Sequence, residues 1–301
     1  MQNVLITGGT GLIGSTFIER FHAKYRFWVL TRQRTAADRL FSHSEHVTLI
    51  HDLNALDNLD DFDIVINLAG EPIAEKRWSV KQKRKICQSR WELTHELSQK
   101  INDSNSPPTV FISGSAIGYY GRQNSNTIDE ECAHCYNEFS HRLCQTWEQK
   151  ARLCDDVTRV CLLRTGIVLD AEHGALKKML LPYKMGFGGR FASGSQYMSW
   201  IHIDDMVRGI DFLINNDQCR GAYNLTAPNA KSNRAFSRTL ANVLNRPNFT
   251  TMPAFMLKLM FGEMADLFLF GQNVYPKRLL DAGFKFTYSD LEPALASLVK
   301  K

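Results

Sequence analysis

The sequence has no apolar stretch long enough for a membrane-spanning helix, which excludes that class. With a first strand expected from residue 3, no signal peptide is expected. Seven cysteines, an odd number, lie scattered without a framework. Lacking an export signal, they predict free thiols and a reducing cytoplasm. Charge of one sign is scarce: 36 Lys and Arg against 31 Asp and Glu leave +5 over 301 residues. No basic stripe of the kind a nucleic-acid partner requires is present. The local exception, Lys76, Arg77 and residues 81–85, follows a helical pattern and reads as a solvated or phosphate-facing surface. Internal repeats and low-complexity segments are also missing. What remains, 44% hydrophobic and 22% charged, suits one large α/β domain or two smaller ones.

The most informative stretch is near the start. Asn3-Val4-Leu5-Ile6 reads as a buried strand and runs into Thr7-Gly8-Gly9-Thr10-Gly11-Leu12-Ile13-Gly14. A helix with Phe17, Ile18 and Phe21 on its apolar side follows. Strand, glycine turn and helix in this order form the context of a dinucleotide fingerprint. Gly8 suits the tight turn, Gly11 lets backbone approach a pyrophosphate, and Gly14 lets the helix pack closely. Thr10, Leu12 and Ile13 complete the turn, whose helix N-terminus offers N–H groups and a positive dipole end to phosphates.

A second strand, 27–30, ends at Thr31 and Arg32. An Asp or Glu there would meet a free ribose 2′-hydroxyl; this chain offers Arg32, with Arg34 close behind. A guanidinium matches a 2′-phosphate, so NADP(H) is expected over NAD(H). After a third strand, 47–50, His51, Asp52 and Leu53 would sit beside an adenine, unless Asp52 caps the next helix. A fourth strand, 64–66, leads to Leu68, Ala69, Gly70 and Glu71, which should border the cofactor, as ligands of parallel sheets lie at strand C-termini.

A long helix over 80–101 carries Arg90 in its middle. A fifth strand, 110–112, delivers Ser113, Ser115, Tyr119 and Tyr120, and a sixth covers 158–163. Strands alternating with helices predict an α/β, Rossmann-type, doubly wound parallel sheet. Composition shifts near residue 174, and Gly186-Phe187-Gly188-Gly189-Arg190 suits a substrate-side loop or lid. The expected division is a dinucleotide-binding domain of residues 1–173, with 199–226 returning to it, and a smaller, mostly helical lobe of 174–198 and 227–301. The Met- and Phe-rich stretch 252–270 reads as packing or as a subunit contact, the second of which would make a homodimer. Cys132 and Cys135, with His141 and Cys144 downstream, have metal-like spacing but no second knuckle, so no metal is expected.

These residues resemble the extended short-chain dehydrogenase/reductase superfamily through T-G-G-T-G-L-I-G, N-L-A-G and W-I-H-I-D-D. More narrowly, the chain is similar to the atypical "epimerase family" group, whose C-terminal domain has no assigned role. Asn67-Leu-Ala-Gly-Glu-Pro-Ile-Ala, Gln88-Ser-Arg-Trp, Gly118-Tyr-Tyr-Gly and Pro276-Lys-Arg-Leu-Leu-Asp-Ala-Gly-Phe carry that likeness. It implies an NADP(H)-binding Rossmann domain and a C-terminal substrate lobe. Residue by residue it implies Gly8, Gly11, Ile13 and Gly14 at the pyrophosphate, Thr31 and Arg32 at the 2′-phosphate, and Leu68 and Ala69 beside the adenosine half. Arg90 falls where such proteins usually carry a cofactor-side Asn, and either reaches a cofactor phosphate or joins a structural ion pair.

The resemblance also implies hydride chemistry with a Tyr acid/base, a Lys one helical turn on, and a Ser or Thr holding the substrate oxygen. The helix expected over 138–154 has no Y-x-x-x-K; Tyr136 is followed four residues on by Ser140, and Phe139 with Leu143 fits the register. Ser113 and Ser115 are left as oxygen holders and Tyr119 or Tyr120 as the phenol. Glu71 and His202 are further acid/base candidates, although His202 in its apolar stretch reads first as structural. Two functions follow. One is an NADP(H)-dependent oxidoreductase or nucleotide-sugar-type epimerase acting on a small polar substrate. The other is a catalytically silent NADP(H)-binding sensor or regulatory protein.

Overall fold

A computed structural model describes residues 1–32, 34–42 and 44–299, save the side chains of Arg34 and Ala36. The β-branched apolar runs become strands of one parallel sheet: β1 (Gln2–Thr7), β2 (Tyr25–Leu30), β3 (Val47–Ile50), β4 (Ile64–Asn67), β5 (Val110–Ala116), β6 (Arg159–Thr165) and β7 (Gly221–Leu225). Their spatial order is β7-β6-β5-β4-β1-β2-β3. The chain thus winds outward from β1 in both directions, and the crevice at the C-terminal ends of β1 and β4 is the ligand position of such sheets.

The principal helices are α1 (Leu12–Phe21), α2 (Arg34–Phe41), α3 (Val80–Asn102), α4 (Phe139–Ala151), α5 (Gly174–Lys184), α6 (Ile203–Asn215), α7 (Asn233–Val243), α8 (Ala254–Phe261) and α9 (Leu291–Val299). The two-residue period of the strands divides the core. Val4, Ile6, Ile64 and Ile112 join Phe17 of α1 and Met206 and Ile210 of α6 in one layer. Leu5, Val65 and Phe111 join Leu97 and Ile101 of α3 in the other. Each such side chain contributes about 1.5–3 kcal/mol. A third cluster, with Leu176, Tyr183, Trp200, Phe236, Leu240 and Leu295, binds α5, α7 and α9 together.

Segment 199–226 returns the chain to the sheet. Trp200–His202 pairs with Ile167–Leu169, directly after β6. His202 then caps α6, its Nδ1 accepting from the Asp204 N–H at 3.0 Å, and its ring stacks on Tyr288 at 3.9 Å. Buried Asp205 accepts from the N–H groups of Thr287 and Tyr288 at 2.9 and 2.8 Å and pairs with Arg208 at 2.6 Å. His202 is therefore a structural cap. All seven cysteines are free thiols. Among the described residues no helix is long and apolar enough to cross a membrane.

Candidate functional site

The glycine turn between β1 and α1 is a cradle shaped by missing side chains. Gly8 adopts φ +70°, the left-handed region that favours glycine. A Cβ there would also lie 2.7 Å from the Leu68 carbonyl carbon. A Cβ at Gly14 would lie 2.4 Å from the Gly8 oxygen, so α1 packs onto the turn only with glycine. At Gly11 a Cβ would meet only that oxygen, at 3.3 Å. Beyond that oxygen the space before Gly11 is open, and a glycine there lets the backbone come close to a ligand. Gly11 is the N-cap of α1 and no side chain caps the helix, which leaves its first N–H groups to a phosphate. Thr10, Leu12 and Ile13 lie around this opening. The residues fit a dinucleotide.

On the β2–β3 side, Thr31 donates its N–H to the Ile50 carbonyl at 2.9 Å, and its own carbonyl lies 3.1 Å from His51 Nδ1. The two predicted residues are thus brought together. Arg32 is exposed beside them and makes no ion pair among the described residues. The Arg34 side chain lies outside the described residues. Asp52 accepts from the Asn54 N–H at 3.0 Å and so caps the turn Leu53–Ala55, the alternative its sequence left open. Leu53 is buried in the core.

On the β4 side, Leu68 and Ala69 pack directly over Gly8, and the Ala69 N–H donates to Thr7 Oγ1 at 3.2 Å. The Thr7 hydroxyl donates to Asn67 Oδ1 at 2.7 Å; Asn67 Nδ2 donates to Thr94 Oγ1 at 2.7 Å, and Trp147 Nε1 reaches the same oxygen at 2.9 Å. This buried chain locks β1, β4, α3 and α4 behind the cradle. A Cβ at Gly70 would lie 2.7 Å from Arg90 Cζ. Arg90 donates to the carbonyls of Glu71 and Ile86 at 2.9 and 3.1 Å and lies over the Trp147 ring at 5.1 Å. Among the described residues it joins no ion pair; burial lowers its pKa, and it fixes the loop after β4. Glu71 pairs with Lys85 at 3.0 Å, and this contact, then Gln82, holds its carboxyl below the usual range.

At the end of β5, register places Ser113 level with Asn67 of β4 and Ser115 level with Arg164 of β6. Ser113 is fully buried, its hydroxyl at 3.4 Å from the Gly114 carbonyl. Ser115 donates to Glu148 Oε1 at 2.8 Å. Glu148 receives Arg164 in a fork, at 2.8 and 2.9 Å, with both side chains buried. Burial opposes the Arg164 charge, but Glu148 outweighs it and raises the arginine's pKa. Arg164 also donates to the Tyr120 hydroxyl at 3.1 Å, and that hydroxyl donates to Asn224 Oδ1 at 2.7 Å. Tyr120 has no exposed surface, and burial drives its phenol well above the ordinary range. Tyr119, only half-buried, stacks on Arg164 at 3.5 Å, and its carbonyl is held by His141.

Sequence reasoning did not single out Glu148 or the role of Arg164. It also took Phe139 and Leu143 as the helix positions facing the site. In the structure those residues pack on Trp78, Ile86 and Met264. The face of α4 toward β5 instead carries Ser140, Cys144 and Glu148, four residues apart: a Cβ at Gly118 would lie 3.2 Å from Ser140 Cβ and 3.6 Å from Cys144 Sγ. Phe139 and Leu143 have the same four-residue spacing, so the sequence held no signal that separates the two faces. Ser140 and Cys144 stand one helical turn apart on the face turned to the end of β5. Among the described residues no group of three or more His, Cys, Asp or Glu could hold a metal.

Residues 4–226 match the NAD dependent epimerase/dehydratase family. The chain belongs to that family. Residues 252–298 match a second family, a domain of unknown function. An epimerase family protein of Staphylococcus saprophyticus is 38% identical, covering 99% of this chain and all of that one. Another, from Staphylococcus aureus strain MW2, is 35% identical over the whole of both chains. Human epimerase family protein SDR39U1 (isoform 2), solved with NADPH, superposes with TM-score 0.90 at 30% identity over 99% of each chain. UDP-glucuronic acid 4-epimerase from Bacillus cereus, solved with NAD, shares the fold at TM-score 0.77 and 15% identity, over 98% of this chain and 95% of that one.

Proposed function

We propose that this member of the epimerase/dehydratase family is a cytoplasmic NADP(H)-dependent oxidoreductase or epimerase acting on a small polar substrate. The observation that carries this reading is the cradle: three glycines shaped to admit a pyrophosphate, an uncapped α1 N-terminus, and exposed Arg32 at the end of β2. The human relative solved with NADPH supports the choice of cofactor. When bound, the nicotinamide supplies the hydride chemistry. Gly11 and the α1 N-terminus hold the pyrophosphate, and Arg32 holds the 2′-phosphate. Ser115, anchored by Glu148, orients a substrate oxygen, and half-buried Tyr119 over Arg164 is the phenol placed to hold a proton. The exposed apolar residues of α8, Phe255 and Leu259, support a homodimer as the working state.

A second reading, a silent NADP(H)-binding sensor, is favoured by one observation: the face of α4 toward β5 carries Ser140 and Cys144 and no Tyr or Lys. A metabolite screen with NADPH decides between them. An enzyme turns over a substrate, and Ser115→Ala or Tyr119→Phe lowers that turnover. Tight NADPH binding with no turnover removes the enzymatic reading. The cofactor choice has its own test. Arg32→Asp should weaken NADPH about tenfold or more, the worth of one charge-assisted contact, and leave NADH nearly unchanged. Equal losses for both would refute the assignment.

A further inference from the structure

Charge in this chain is unevenly placed. Between Glu172 and Asp204, and again between Asp217 and Glu263, no acidic residue occurs, while these two stretches hold ten lysines and arginines. The whole chain carries only +5, so the remainder is net negative. The two stretches meet where Gly189–Phe191 runs parallel to Thr250–Met252.

Helix α5 shows what this surface presents. Leu176, Leu180 and Tyr183 turn inward to the core of the C-terminal lobe. Lys177, Lys178, Leu181, Lys184 and Met185 are exposed, and at about 100° per residue they fall in one stripe roughly 120° wide. Leu181 and Met185 run along its middle, and lysines flank them on both sides. The stripe continues past the helix end. The Phe187 carbonyl accepts from Thr250 Oγ1 at 3.0 Å, which brings the chain at Phe187 alongside the chain at Phe249 and Thr250. A Cβ at Gly186 would lie 3.7 Å from Pro247 Cγ, and Arg246 is exposed next to it. Leu181, Met185, Phe187 and Phe249 are 66%, 61%, 67% and 79% exposed. Among the described residues Lys177, Lys178, Lys184 and Arg246 form no ion pair.

Large apolar side chains held together in water mark an interaction surface, and the partner that fits this one is both anionic and apolar. A second copy of the same face would set like charges against each other. A nucleic-acid backbone would meet the cations and leave the apolar side chains in water. An anionic bilayer satisfies both. Lysine stems lie along the acyl boundary with their ammonium groups at lipid phosphates, and Leu, Met and Phe side chains enter between the headgroups. We propose that the exposed stripe of α5, with Phe187 and the 246–249 loop, docks this protein peripherally on an anionic lipid bilayer. Such a contact needs no membrane-spanning helix. It uses neither the dinucleotide cradle nor the α8 residues assigned to a dimer, and it stands whichever reaction the site performs.

Co-sedimentation with lipid vesicles tests it. Wild type should bind vesicles of phosphatidylcholine mixed with phosphatidylglycerol, bind pure phosphatidylcholine about tenfold more weakly, and dissociate from the mixed vesicles as salt rises. The triple variant Lys177→Gln, Lys178→Gln, Lys184→Gln and the double variant Leu181→Gln, Phe249→Gln should each bind the mixed vesicles about tenfold more weakly or worse. All five side chains are exposed, so urea midpoints should stay at the wild-type value and show an intact fold. Absence of wild-type binding to the mixed vesicles overturns the proposal. A short RNA, or self-association on light scattering, that the same variants then abolish would assign the face to that partner instead. A double variant that binds the mixed vesicles as tightly as wild type also overturns it, because the contact would then be one of charge alone.

Discussion

The most consequential single residue behind the site is Glu148. Its carboxylate has three donors, two from Arg164 and one from Ser115, in a setting closed to water. Removing one partner of a buried pair leaves the other charge uncompensated, at about 3–5 kcal/mol. Glu148→Gln should therefore lower the urea midpoint by that equivalent and loosen Ser115 with it. A wild-type midpoint would show that the pair is not closed to water. Tyr120 gives the contrary lesson. In sequence it equals Tyr119 as a candidate phenol, yet its hydroxyl is committed to Asn224 and Arg164. The Asn224 N–H is held in turn by Glu130 at 2.8 Å, whose carboxyl burial raises.

Among the elements, α3 matters most for the site because it carries Arg90 and Thr94 to the ends of β1 and β4. Its start is secured by Ser79, whose hydroxyl accepts from the Gln82 N–H at 3.2 Å. The loss of such a cap costs about 1 kcal/mol. Ser79→Ala should lower stability by that amount in chemical denaturation while NADPH affinity changes little, because Arg90 and Thr94 lie turns further along. A large loss of affinity would mean that the helix start is part of the site. By contrast, α1 begins at Gly11 with no side-chain cap. One helix start is closed by its own chain and the other is open to a ligand, and the strand–glycine–helix order by itself distinguishes the open one.

Across the whole molecule, burial of thiols sets an alkaline limit. Burial pushes Cys144 and Cys161 up to about 12 and Cys154 up to about 11, from an ordinary value of 9.0. Their folded values exceed their unfolded ones, so their contribution is complete below pH 9 and is lost as pH rises toward the folded values. Between those limits these three thiols keep protons that the unfolded chain releases, which lowers stability as pH rises. Urea midpoints should fall from pH 9 to 10.5, and Cys154→Ala should flatten that fall. An unchanged slope in the variant would contradict the assignment.

The dinucleotide cradle was legible in the sequence because it is local. Turn, helix start and strand end lie within thirty residues, and backbone conformation with glycine spacing dictates them. The parallel sheet was legible for the same reason, since alternation of short apolar runs and amphipathic helices admits few topologies. The face of α4 was not legible. Phe139 with Leu143 and Ser140 with Cys144 share one period, and only packing against Trp78 and Ile86 decides which pair turns inward. Nor could the sequence choose between Tyr119 and Tyr120, or bring Ser115, Glu148, Arg164 and Asn224 together from four separate elements. Chain order determined what the protein is shaped to hold. The tertiary structure decided which side chains face it, because burial and charge pairing depend on neighbours that sequence distance does not reveal.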